Sequence, residues 1–254
     1  MSRSTQRNPP TPTQARAVLY PAIAEAARRV SANAVGLIDV GCGAGFDLTV
    51  DRVGLTYRNG PPLGDPHSPV QLSSAIVGRH PAPARAMPQV RTRIGIDSDP
   101  IDVTDPAVAG WLRDCVPPDR PDLLARLAAD IALTTAITPL LRRGDPIDLL
   151  PDAIARVPAD TLPVVTTSWA LSRFPRDRRQ RFLHRLDESA AGRVIAWVSA
   201  EGVGVAPAIP TLGDRHASGH SILGLAIFDG AALRAEAIGR CWSRGRMLSW
   251  LTGT

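Results

Sequence analysis

The stretch that most restricts this chain is Leu37-Ile38-Asp39-Val40-Gly41-Cys42-Gly43-Ala44-Gly45-Phe46-Asp47-Leu48, an apolar run that meets an acid and opens into three alternating glycines. From about Val35 to Val40 the residues are apolar and β-branched, as a strand buried on both faces of a parallel sheet requires. Glycines at 41, 43 and 45 remove Cβ atoms where backbone passes close to a ligand, and a helix opening behind them offers unpaired N–H groups to a polar or anionic moiety. Strand, tight turn and helix start predict a nucleotide-like cofactor. A glycine turn that merely joins a strand to a helix is the alternative.

Spacing separates two cofactor classes. The dinucleotide fingerprint is G-x-G-x-x-G with its acid about 20 residues later, whereas this chain reads D-x-G-x-G-x-G. That pattern resembles motif I of the Rossmann-like (class I) S-adenosylmethionine-dependent methyltransferases. The resemblance implies an α/β fold, a doubly wound seven-stranded sheet with an antiparallel last strand, and S-adenosyl-L-methionine held around Asp39, Gly41, Gly43 and Gly45.

The rest of the chain can be set against that expectation. Residues 1–12 are rich in Ser, Thr, Pro and Asn and read as a flexible lead-in, leaving 13–254 as one methyltransferase-like domain. Gln14 to Val30 has apolar residues at helical spacing with Thr13 as a candidate N-cap. The helix behind the glycines is short, because Gly54, Asn59-Gly60 and Pro61-Pro62 break it. Residues 53–90 read as an insertion built on a β-hairpin. Arg93 to Asp97 is a strand ending in acids. The resemblance assigns Asp97 to the ribose hydroxyls, and a turn cap before Pro100 is the other reading. Asp105-Pro106 opens a helix to about Cys115, and Pro121 to Ile137 forms a longer one. A third strand is expected near Ile137 to Leu141, then Gly144-Asp145, where the resemblance gives Asp145 the adenine amino group, then a helix from Ile147 to Arg156.

Leu162 to Thr167 reads as a strand with Ser168 and Trp169 at its carboxyl end, where ligands sit in any doubly wound sheet and where the methyltransferases place motif IV. The Asp/Asn-Pro-Pro-Tyr/Phe signature of adenine or glutamine N-methylation is absent there. Trp169, Ser168 and Asp47 are the candidate substrate pocket, with a core tryptophan as the alternative for Trp169. Arg176 to Ala190 is an amphipathic helix and Arg193 to Ser199 a strand, with Glu201 placed just past its end. Ile222 to Phe228 and Ala237 to Trp242, either side of Asp229-Gly230, are expected to form an antiparallel final pair.

A narrower resemblance, to an actinobacterial family of methyltransferase-like domains without an assigned function, rests on three stretches. They are Gly95 to Pro106 with Trp111-Leu112, Gly144-Asp145, and Arg240 to Arg246 with Trp250-Leu251. That family carries a further helical region before the segment matching Thr13 to Pro21. It also has His-Gly where this chain has Arg244-Gly245, so no role of that histidine carries over.

Composition narrows the partners. With 254 residues, 44% hydrophobic and 21% charged, the chain can bury one sizeable core. The net charge is +5, but the arginines are spread among 24 acids and aromatics make up 4%, a pattern that argues against nucleic acid. No apolar run reaches the roughly 20 residues of a membrane span, and Cys42, Cys115 and Cys241 are isolated. A cytoplasmic enzyme with a small-molecule substrate is expected, and a homodimer stays open. No metal is expected, although Asp214, His216 and His220 offer carboxylate and imidazole. Methyl transfer to an O–H or N–H group calls for a base, and Glu201, His216 and His220 are the catalytic candidates. The resulting expectation is O- or N-methylation of a small polar metabolite or natural-product intermediate. A non-catalytic methyltransferase-fold domain and a nicotinamide-dependent oxidoreductase are the alternatives.

Overall fold

The computed structural model describes residues 14–58, 60–230 and 232–251. The expected lead-in over 1–12 and the Thr13 cap lie outside the described residues.

Seven consecutive buried residues form β1 (Ala34–Val40), the middle of the parallel part of the sheet. It pairs in parallel with β5 (Gln89–Asp97) on one side and with β7 (Leu162–Ser168) on the other. Outside these, β6 (Leu140–Arg143) runs parallel to β5 and β8 (Ile195–Gly202) parallel to β7, so five parallel strands lie in the order β6-β5-β1-β7-β8. The expected antiparallel pair is present: β9 (Ser221–Phe228) runs back beside β8, and β10 (Leu233–Trp242) pairs antiparallel with β9.

The sheet then continues past the expected seven strands. β11 (Met247–Trp250) folds back on β10, and the inserted segment supplies three more strands. Of these, β4 (Gln71–Ile76) lies parallel to β11, β2 (Gly54–Tyr57) parallel to β4, and β3 (Leu63–Gly64) antiparallel to β2. The result is one mixed sheet of eleven strands. The two extended segments expected to pair as a hairpin, Val53–Tyr57 and Val70–Leu72, instead run parallel as β2 and β4, and only β2–β3 is antiparallel. The return through β3 is two residues long, so the chain crosses back and enters β4 in the same direction as β2.

That extension covers the first helix. In α1 (Ala15–Arg29) every residue from Ala15 to Ala27 is buried. Leu37, Val164 and Val198 of the central strands and Leu55, Tyr57 and Leu72 of the insertion share one core with it, and the Tyr57 hydroxyl donates to the Ala17 carbonyl at 2.5 Å. Burial on every side of the helix follows from this enclosure, and it takes in the charged Arg16 and Glu25 as well as the apolar residues. The opposite face of the sheet is covered by α4 (Pro146–Ala155) and α5 (Arg176–Ser189), packed over Ile38, Ile94, Val165 and Trp197.

Two further helices, α2 (Pro106–Asp114) and α3 (Pro121–Ile137), form a smaller core with Ala44, Ile101 and Val103 behind the glycine turn. Because α3 takes up Ile137, the following strand starts at Leu140 rather than at Ile137. Asp105 and Asp145 cap α2 and α4 by accepting from the N–H groups of Ala107 and Ile147 at 2.8 and 2.9 Å, each with proline at the first helical position. No helix among the described residues is long and apolar enough to cross a membrane.

Candidate functional site

From β1 the chain crosses to β5 on one side and later returns to β7 on the other, so the loops leaving β1 and β7 diverge at their carboxyl ends. Open α/β sheets place ligands at such a switch point. Gly41, Gly43 and Gly45 all have left-handed backbone, at φ 76°, 53° and 74°. A Cβ on Gly41 would stand 2.7 Å from the Cβ of Ala170, so this glycine lets the β1 loop press against the turn after β7. A Cβ on Gly43 would meet nothing within 4 Å, so the loop borders open space at that point. The Gly43 N–H donates to Asp97 Oδ2 at 3.0 Å, and Asp97 Oδ1 accepts from the Asp99 N–H at 3.0 Å. Asp97, 54 residues downstream, thus closes the loop.

Two more acids crowd the same place. Asp39 is buried beneath the loop and accepts from the Thr166 hydroxyl at 2.8 Å. Burial pushes its pKa well up, and the negative charges of Asp47 and Asp97 push the same way. Asp47 is raised by burial against the pull of Arg16, with Asp130 adding to the rise. The buried Ser168 hydroxyl approaches the Asp47 carboxyl but completes no hydrogen bond. Burial, with Asp39 and Asp97 nearby, also holds the Cys42 thiol well above its usual pKa.

Arg16 and Asp130, which the sequence did not single out, tie α1, the β1 loop and α3 together. Arg16 is 3% exposed and donates to Thr49 Oγ1 at 2.8 Å and to Asp130 Oδ1 at 2.6 Å. The available signals were an arginine inside an Ala-rich apolar helix and an acid on the apolar side of α3.

Trp169, in the turn after β7, takes the left-handed conformation at φ 53°, rare for a bulky side chain. Its ring is half-buried against the α1 core, Nε1 donates to Ser221 Oγ at 2.8 Å, and the Arg244 guanidinium lies over the ring at 5.7 Å from its centre. Trp169 is thus packed against the core on one face and held by Ser221 at its edge.

The expected bases fare differently. Glu201 stands within β8, not past its end, and is fully buried. Its Oε1 accepts from the N–H groups of Ala170 and Leu171 at 2.9 and 3.0 Å, while Oε2 has no partner. Burial pushes its pKa up to about 7 against those hydrogen bonds. Glu201 therefore holds the turn on which Gly41 rests and acts as a positioning residue. His216 is exposed on a short turn. His220 has Nε2 at 3.0 Å from Asp214 Oδ2 and Nδ1 at 3.4 Å from the Ser218 carbonyl. Both ring nitrogens face acceptors, so neither offers a lone pair to a substrate. Asp214 in turn accepts from Arg240 at 2.6 Å, which holds its carboxyl below the usual range.

Asp145 lies in the loop beside Asp97, where the Gly144 N–H donates to the Asp97 carbonyl at 2.9 Å, but it caps α4 and pairs with Arg178 at 2.5 Å. The structure therefore gathers Asp39, Gly41, Gly43, Gly45, Asp47, Asp97, Ser168 and Trp169 at the ends of β1 and β7, with Glu201 behind them. Among the described residues no group of three or more His, Cys, Asp or Glu side chains is placed to hold a metal ion.

A family profile described as an uncharacterized protein conserved in bacteria, DUF2332, matches residues 2–250. The chain belongs to the DUF2332 family. No curated protein and no solved structure matches it. In this DUF2332 member the matched span includes every residue of the switch point. Chemically, the site is rich in acceptors and poor in cations: among the described residues, no arginine forms an ion pair with Asp39, Asp47 or Asp97. The Gly43 N–H, which could face an anion, is already given to Asp97.

Proposed function

We propose that this DUF2332 protein is an S-adenosylmethionine-dependent methyltransferase that acts at oxygen or nitrogen of a small polar metabolite or natural-product intermediate. The order β6-β5-β1-β7-β8 with the β9–β10 pair would serve as its class I methyltransferase sheet. The observation that carries the reading is the set of three carboxylates, Asp39, Asp47 and Asp97, around a left-handed glycine loop at the switch point. Such a site repels a pyrophosphate and suits a ligand that brings positive charge and a ribose diol.

When bound, the cofactor supplies an electrophilic methyl group. Asp97 Oδ2, which accepts from Gly43, keeps a second lone pair for one ribose hydroxyl, while Oδ1 accepts from the Asp99 N–H and at 3.4 Å from the Ser98 hydroxyl, whose place a second ribose hydroxyl would take. Gly43 leaves the approach clear, and Asp39, anchored by Thr166, sets a buried carboxyl beneath it. Asp145 takes part at the adenine edge only by sharing its carboxylate with Arg178. Trp169 walls the acceptor side, and Asp47, whose pKa burial raises, receives the proton of the acceptor's O–H or N–H beside Ser168. Glu201 acts through the turn at 170–171 and touches neither ligand.

A second reading, a methyltransferase-fold domain with a regulatory or assembly role, draws on the commitment of Glu201 and His220 to internal hydrogen bonds. Isothermal titration with S-adenosylmethionine and S-adenosylhomocysteine tests the first. Binding is expected, weakened at least tenfold in Asp97→Ala, and no binding of either compound would overturn it. Binding without methyl transfer across a broad acceptor screen would favour the second.

A further inference from the structure

A cavity of about 470 Å³ lies between the insertion and the β10–β11 turn, lined by Gln14, Thr56, Arg58, Ser73, Ser74 and Arg246. Among the described residues no acid lines it. The backbone fixes both arginines: the Arg58 N–H donates to the Ser74 carbonyl at 3.2 Å, and the Arg246 carbonyl accepts from Ala75 at 2.9 Å. The turn before Arg246 is pressed on α1, since the Gln14 N–H donates to the Arg244 carbonyl at 2.8 Å and a Cβ on Gly245 would stand 2.6 Å from the Gln14 oxygen.

Three observations point to a ligand. Both guanidinia are exposed, and among the described residues neither pairs with a carboxylate, in a chain whose arginines are otherwise widely ion-paired. Ser74 is 4% exposed, yet its hydroxyl has no hydrogen-bond partner. The Gln14 Oε1 is buried without a partner as well, and exchanging amide oxygen for nitrogen puts a donor there. A buried polar atom with nothing to bond carries a standing cost.

We propose that this cavity is an oxyanion site that takes the phosphate or carboxylate group of a small molecule, gripped by Arg58 and Arg246 with the Ser74 hydroxyl donating from below. Guanidinium forks bind such groups in bidentate fashion. The site is opposite in sign to the acid-lined switch point and stands whatever that one binds.

The test is calorimetric titration of the full chain at low ionic strength with inorganic phosphate and, separately, with malonate. Saturable binding of at least one probe is expected, at least tenfold weaker in R58A/R246A and severalfold weaker in S74A. The probe preferred tells a phosphate ester from a carboxylate. Both arginines are exposed, so the melting temperature of R58A/R246A should match that of the wild type, and R58Q/R246Q keeps side-chain length if the alanine pair folds poorly. No saturable heat with either probe, undiminished affinity in the double variants, or an equal loss in R181A on the surface of α5 would overturn the proposal.

Discussion

Glu201→Gln separates the charge of the buried carboxyl from its shape. The unfolded glutamate titrates at its ordinary value of 4.5 and the folded one at about 7. Below the lower value both states are protonated and the stabilising contribution is complete. As pH rises through this window the unfolded chain ionises first, binds fewer protons than the native state, and stability falls. At 1.36 kcal/mol per pH unit the full loss is about 3 kcal/mol, complete once pH passes the folded value. Glutamine can still accept from Ala170 and Leu171 and cannot ionise. Urea unfolding followed by tryptophan fluorescence should therefore show the stability of the variant gaining on the wild type by about 2 to 3 kcal/mol between about pH 5 and pH 8. Asp39 and Asp47, whose pKa values are also raised, are present in both proteins and cancel in the difference. Parallel stability curves would refute the reasoning. Glu201→Ala, which leaves two buried N–H groups without an acceptor, should be less stable than E201Q at every pH.

Two other perturbations address the frame of the site. Gly43→Ala meets open space, so its cost is the left-handed backbone alone, about 1 kcal/mol, whereas Gly41→Ala also meets the Ala170 Cβ at 2.7 Å; thermal melts should rank G41A below G43A, and the reverse order would contradict the packing. Arg16→Ala strands the buried Asp130 and should cost about 3 to 5 kcal/mol in denaturant unfolding, with part of that recovered in R16A/D130N. A loss under about 1 kcal/mol would show the pair to be inert.

What could be read from the sequence was local. The Asp-Pro cap of α2 and the span of α3 follow from cap chemistry and helical spacing within a few residues, whereas Asp145, expected at the adenine edge, caps α4. The glycine turn shows itself because left-handed backbone selects glycine whatever surrounds it. What could not be read depends on distance or on enclosure. Arg16 and Asp130 meet across 114 positions, and nothing near either residue marks its partner. Glu201 reads as a stop to its strand because a charged residue seldom sits in a fully buried one; only the N–H groups of the next turn make that place tolerable. His220 looked reactive because its ring nitrogens were unassigned, and both prove to be occupied. The extended segments of the insertion are legible, but their joining to the main sheet is not, because β4 finds its neighbour at the other end of the chain and β11 is only four residues long.

The pairing of β4 with β11 has a consequence for how the protein is made. It rests on a short ladder, Met247 with Ala75 and Leu248 with Ile76, and joins the insertion that lies over α1 to the main sheet. Contacts of such sequence separation form late, after their loop-closure cost has been met. During synthesis α1 and the insertion emerge early, but the strand that latches them to the sheet emerges more than 150 residues later. Throughout that interval a helix with a long buried apolar surface is without its complete cover, the exposure that draws nascent chains into aggregation or onto chaperones. The helix most deeply enclosed in the finished protein is among the first parts made and the last to be sealed in.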